Sequence, residues 1–248
     1  VQLSGKTQIQ CRQTILDFTK ATTEKDAEPP AVDELSHIFR EYGVDLAASA
    51  CIKAMEEANV TSTDITHVVA VTCTDQGSPG YDLLVCQKLR LDHSVQRTLL
   101  HGVGCAGGLS ALRAAADIAA AESRRKRRAC VLVVACELCS LFLKAELQAA
   151  SRDDDLHIAP ALFSDAAAAM VVCNDLAVRK DQMPVYELLE WSSMVVPDTV
   201  EHMSYAIKAD GKLLQLSWKR ELTLYHRYGC HHHGRGSQNS RQRDITHV

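Results

Sequence analysis

Hydrophobic positions follow two spacings along this chain. From Asp33 they recur at helical intervals: Leu35, Ile38, Phe39 and Tyr42 share one face, and Asp33 stands where a helix N-cap is expected. Gly43 interrupts the pattern, and a second helix is predicted over 45–58 with Leu46, Ala50 and Met55 inward. After the polar loop 59–64 the pattern changes to unbroken apolar runs. Residues 65–73 and 130–135 are β-branched and nearly uncharged, and 95–100 and 166–173 read as further strands. Helices are predicted over 81–89 and 105–121, the second apolar nearly all round and therefore interior. A strand pair is predicted over 185–196. Uninterrupted apolar strands alternating with helices indicate an α/β fold with helices on both faces of the sheet.

The ends differ from this middle. Residues 1–33 are polar and weakly periodic, and Glu28-Pro29-Pro30 breaks the chain. From Lys212 the sequence turns to Arg, His, Gln and Ser with almost no apolar period. Three segments follow: a polar segment 1–33, a folded domain 34–211 and a poorly ordered tail 212–248. The chain begins at Val1 without Met, which points to a start further upstream.

Of 248 residues 46% are hydrophobic, enough for a sizeable core. A net charge of −4 gives no global signature of nucleic-acid binding. No apolar run reaches membrane-spanning length. Ten cysteines are too dilute for a disulfide scaffold, so a cytoplasmic protein with reduced thiols is expected. Arg124-Arg125-Lys126-Arg127-Arg128 reads as a solvated loop between helix and strand, with phosphate binding or nuclear localisation as the other readings.

The chemistry concentrates in His101-Gly102-Val103-Gly104-Cys105-Ala106-Gly107-Gly108. A lone cysteine lies at a strand-to-helix turn among four glycines, which permit positive φ and leave space above the sulfur. The next helix directs its free N–H groups and positive dipole end at that thiol, an environment that favours a thiolate nucleophile. Other readings attach to the same stretch. Gly102, Gly104 and Gly107 match a dinucleotide fingerprint, with Glu137 at the end of the next strand as the ribose-binding acid. A nucleophile elbow is also imitated, although Val103 stands where a small residue belongs. Cys136 and Cys139 have CxxC spacing, which reads as core thiols before it reads as a redox or metal pair. His231, His232 and His233 are an adventitious metal run, so no metal or bound cofactor is expected.

These segments resemble the N-terminal half of the type III polyketide synthases, the chalcone and stilbene synthase family, over about residues 10–211. Gly104-Cys105-Ala106-Gly107-Gly108 is similar to its nucleophile motif, and 129–137 to the strand that follows. Ala161-Leu162-Phe163-Ser164-Asp165-Ala166 resembles a conserved stretch of the family, with Ser164 and Ala166 in place of two glycines. Pro79-Gly80-Tyr81 falls where the family has a loop reaching its dimer partner. Glu187-Leu188-Leu189-Glu190-Trp191 and Pro197-Asp198-Thr199 are similar to fungal members.

The resemblance implies a thiolase-like (αβαβα) fold, represented by its N-terminal half, and a homodimer. It implies an acyltransferase that uses acyl-CoA and malonyl-CoA, with Cys105 as nucleophile. Phe163 matches the family's gatekeeper aromatic, and Cys73, Thr74, Ser78, Cys139 and Phe142 are placed along the cavity or dimer boundary. The family also uses a His and an Asn from its C-terminal half. Asn59, Asn174 and Asn239 lack the family's Gly-Asn context, and His231 to His233 lack its surroundings. The resemblance stops near Lys212, as in a truncated or frame-shifted product. The expectation is therefore a catalytically impaired synthase, with a non-catalytic partner of a full-length synthase as the alternative.

Overall fold

The structure, a computed structural model, describes residues 7–17, 29–152, 159–179, 182–199, 204–207, 213–216 and 246–247. Its strands are β1 (His67–Val71), β2 (Gln96–Leu100), β3 (Cys130–Glu137), β4 (Ala166–Asn174), β5 (Glu187–Leu188), β6 (Ser204–Ile207), β7 (Leu213–Leu216) and β8 (Thr246–His247). Its helices are α1 (Val32–Ile38), α2 (Val44–Glu57), α3 (Tyr81–Lys88), α4 (Gly107–Arg124), α5 (Leu143–Arg152) and α6 (Ala159–Leu162). One sheet has the order β2-β1-β3-β4-β8-β5, and β6 pairs with β7 in a separate hairpin. β1 runs parallel to both β2 and β3, while β4 is antiparallel to β3.

The apolar runs of β1 and β3 are explained by cover on both faces. Val68, Ala70, Leu132 and Val134 enter a core with Leu35, Phe39, Val44, Cys51, Met55, Tyr81 and Val85 from α1, α2, α3 and the turn between the first two. The alternate residues Val69, Val71, Val131 and Val133 meet Ala111, Ala115 and Ala119 of α4. An alanine face lets α4 lie close to the sheet, and each large apolar side chain fully buried here contributes about 1.5–3 kcal/mol. The chain leaves β1 through α3 to β2 on one side, then returns through α4 to β3 on the other. Reversing direction with right-handed crossovers requires α3 and α4 on opposite faces, as found.

Tyr81 ties this centre together. Its buried hydroxyl accepts from Val71 N–H at 3.2 Å and lies 2.9 Å and 3.1 Å from the Val71 and Val134 carbonyls. Its ring meets Phe39 edge-on at 5.6 Å. The side chain is thus directed inward, while Gln76, Ser78 and Pro79 of the preceding loop are exposed.

Several sequence expectations change. Ala31, with extended backbone and no side-chain bond, caps α1; Asp33 sits in the first turn. Gly43 does not end the helix. A π-turn, Phe39–Gly43, passes through it into α2, and a Cβ there would meet Leu138 Cδ1 at 3.2 Å. Tyr42 is exposed, and α2 buries Val44, Ala47, Ala48, Cys51 and Met55, leaving Leu46 and Ala50 half-buried. β2 is a sheet edge with Gln96, Arg97 and Thr98 exposed, so it is not the buried strand its apolar end suggested. α4 is covered on one side only: Leu109 is 76% exposed. Within 185–196 only Glu187–Leu188 pairs, and Trp191 Nε1 donates to Asp117 Oδ1 at 3.0 Å.

The basic run forms a clasp: Arg125 and Arg127 both bind the Glu122 carboxylate at the end of α4, and Arg128 lies 3.7 Å from Asp64. In 212–248 the described residues are β7 and β8. His231 to His233 and Asn239 lie outside the described residues.

Candidate active site

The turn bearing Cys105 begins where β2 ends. Gly102 and Gly104 have φ of +73° and +52°, in the left-handed region that suits glycine. A Cβ at either would meet nothing within 4 Å, so the surface over the turn is open. Gly104–Ala106 is a single 3-10 turn, and α4 starts at Gly107. Cys105 is exposed in the middle of that turn, two residues before the helix begins. Gly107 serves another purpose, since a Cβ there would lie 2.7 Å from Val71 Cγ2. Its absence lets the helix N-terminus touch β1.

β1, β2 and β3 all point their carboxyl ends toward this turn, the end at which α/β sheets carry ligands. The loop after β1 is fixed by Glu137, the last residue of β3. The Glu137 carboxylate accepts from Cys73 N–H at 3.0 Å and 3.1 Å, from Thr72 Oγ1 at 3.2 Å and from Thr74 Oγ1 at 2.9 Å. Cys73 Sγ donates to it at 3.3 Å. Thr74 Oγ1 also accepts from Leu138 N–H at 3.0 Å. Glu137 is committed to this turn, which removes the ribose-binding role that a dinucleotide reading needs.

Asp165 performs a similar task for the turn after β3. It is buried and accepts from Ser140 N–H at 2.7 Å, Ser140 Oγ at 2.5 Å and Ile15 N–H at 2.8 Å. Its own N–H donates to Gln13 O at 2.9 Å. The 139–142 turn, the start of β4 and residues 13–15 are thereby joined. Sequence reasoning did not assign these roles to Glu137, Ser140 or Asp165. The available signal was an acidic residue at the end of an otherwise apolar strand, and another at the start of one.

Cys73 and Cys105 both lie within electrostatic reach of Cys139. Burial, followed by the charges of Glu137, Cys73, Asp165 and Cys105, pushes the Cys139 thiol up to about 12, so it stays protonated at neutral pH. Cys136 is fully buried, donates to Gly43 O at 3.4 Å, and has its thiol pushed up by burial. Both are inert thiols. Phe163 is 41% exposed, Ser78 is exposed, and Phe142 is buried within the larger core. Asn174 is spent on backbone: Oδ1 accepts from Ala129 N–H at 3.1 Å, and Nδ2 donates to Arg127 O at 2.8 Å. Asn59 occupies a left-handed loop position (φ 49°).

The family model described as "Chalcone and stilbene synthases, N-terminal domain" matches residues 2–176. The chain is 43% identical over 215 residues to the type III polyketide synthase pspB of Penicillium soppii, covering 85% of this chain and 54% of that protein. It is 36% identical to the acylalkylpyrone synthase csyB of Aspergillus oryzae over 72% of this chain and 47% of that protein. The crystal structure of CsyB complexed with CoA-SH superposes with a TM-score of 0.80 at 32% identity, covering 86% of this chain and 57% of the other. The chain spans about half the length of these relatives. Their shared fold is thiolase-like.

Proposed function

We propose, for a chain that belongs to the chalcone and stilbene synthase family, that Cys105 is the acyl-accepting nucleophile of a type III polyketide synthase. The observation that carries this reading is an exposed cysteine at the start of α4, under open space, where three parallel strands end. The Cys105 thiolate attacks the thioester carbonyl of an acyl-CoA and CoA leaves as its thiolate. Malonyl-CoA then loses carbon dioxide, and the resulting enolate attacks the Cys105 thioester. The carbon–sulfur bond breaks and the cysteine thiolate is released. Phe163, Cys73 and Ser78 supply exposed or half-buried positions for a cavity wall. Thr74 and Phe142 act from behind it, through Glu137 and the core.

Two further parts of the reading rest on the same residues. Among the described residues Asn174 is bound to backbone and Asn59 sits in an outer loop, so neither supplies the family's Asn. The polypeptide of these 248 residues therefore accepts an acyl group but does not extend it. Among the described residues no strand lies on the outer side of β2, and that edge offers backbone to a second copy, giving a homodimer. Sedimentation of the purified chain tests that assembly, and a monomer at all concentrations would count against it.

The direct test is intact-protein mass spectrometry after exposure to a fatty acyl-CoA, followed by malonyl-CoA. One acyl group on wild type, none on Cys105→Ala, and no pyrone or resorcinol product are expected. An unmodified Cys105 in folded protein would remove the nucleophile assignment, and multiple turnover would remove the impairment.

A further inference from the structure

A second pair of cysteines lies at the far end of the sheet from Cys105. Cys130 opens β3, and Cys173 faces it directly across the antiparallel ladder with β4. The neighbouring pair is locked: Asn174 N–H donates to Ala129 O at 3.1 Å, and Ala129 N–H donates to Asn174 Oδ1 at 3.1 Å. The Asn174 amide also holds Arg127 O, so this end of the ladder is anchored on both strands. The bonded neighbour puts the two cysteines at a non-hydrogen-bonded register, where Cα atoms stand about 4.5 Å apart. A disulfide spans about 4.4–6.8 Å between Cα atoms, so the register already suits one. Both side chains enter the same core face, and both are free thiols.

We infer that Cys130 and Cys173 form an oxidisable pair, which a hydroperoxide converts to a cross-strand disulfide without unfolding the chain. Cys130 is buried and Cys173 half-buried, so Cys173 is the sulfur a small peroxide reaches first. The two thiols interact directly with each other across the ladder. That interaction lowers Cys173 and raises Cys130. The Arg128 guanidinium lies on the side that favours the thiolate, and the Asp64 carboxylate opposes it.

The steps balance. The Cys173 thiolate attacks one peroxide oxygen, the O–O bond breaks, and water leaves after taking up the cysteine proton. This gives a sulfenic acid at Cys173. Cys130 sulfur attacks that sulfur, the S–O bond breaks, and the hydroxyl departs as water with the Cys130 proton. Two thiols are oxidised by two electrons, and one hydroperoxide is reduced.

The test treats the folded chain with hydrogen peroxide, blocks remaining thiols with N-ethylmaleimide, and maps a non-reducing digest by mass spectrometry. A Cys130–Cys173 linked peptide, lighter by two hydrogens and cleaved by dithiothreitol, is expected in the wild type. It should be absent in Cys173→Ala while Cys105 still reacts. Recovery of Cys130 and Cys173 only as alkylated thiols would overturn the inference. So would a link that forms only after urea denaturation.

Discussion

At Gly104 the backbone has a φ of +52° with empty space around the missing Cβ; at Gly107 the backbone is helical and Val71 fills that space. The two glycines are three residues apart and should fail differently. Gly107→Ala overpacks the contact between α4 and β1 and is expected to cost about 1–3 kcal/mol in urea unfolding. Gly104→Ala pays roughly 1–2 kcal/mol for a left-handed alanine and also re-aims Cys105. Its acylation rate per folded molecule should fall about tenfold or more. Equal loss of acylation in both variants, at equal stability, would contradict this division. The cysteine and its glycines were legible in the sequence because they are contiguous. The division of labour among them was not, since Val71 is distant in the chain. Glu137 and Asp165 were illegible as anchors for the same reason: no local pattern connects 72–74 with 137, or 13–15 and 140 with 165.

Among the elements, β1 and β3 were the most legible. Covered on both faces, each must be apolar along its length apart from His67 at the start of β1 and Glu137 at the end of β3, and the sequence shows that directly. β2 and the 185–196 segment misled because apolar side chains there lack cover. Leu99 and Leu100 are half-buried at an edge, and Val185, Tyr186, Met194 and Val195 remain exposed. Gly43 misled in the other direction. Its lack of a side chain serves close packing against Phe39 and Leu138, not a helix stop. Tyr81 is the strongest inter-element link that a sequence cannot display. Tyr81→Phe keeps the ring against Phe39 but leaves Val71 N–H without its acceptor, in a site that excludes water. A loss of about 1–3 kcal/mol is expected. A change below about 0.5 kcal/mol in chemical denaturation would mean that the β1–β3 pairing satisfies Val71 without the hydroxyl.

At the scale of the whole molecule, burial is recorded in the thiols. Desolvation pushes Cys51 and Cys139 up to about 12 and Cys86 up to about 11, from an ordinary value of 9.0. The folded state therefore keeps protons that the unfolded chain sheds above pH 9. Stability is unaffected by these groups below that pH and falls as pH rises through the window from 9 to 12. The urea midpoint should drop between about pH 8 and about pH 10.5, and Cys51→Ala should reduce the drop. A midpoint that falls equally in both proteins would assign the effect to other groups. The Asp165 carboxylate has a different consequence, in time. It binds Ile15 at a sequence separation of 150 and Ser140 at a separation of 25. During synthesis β1, β2, β3 and the Cys105 turn all leave the ribosome before residue 165 does. A nascent chain halted short of that residue carries its thiol with the 139–142 turn unfastened and residues 13–15 unclaimed. The nucleophile is made early, and its surroundings close only when the strand that begins at Ala166 is about to emerge.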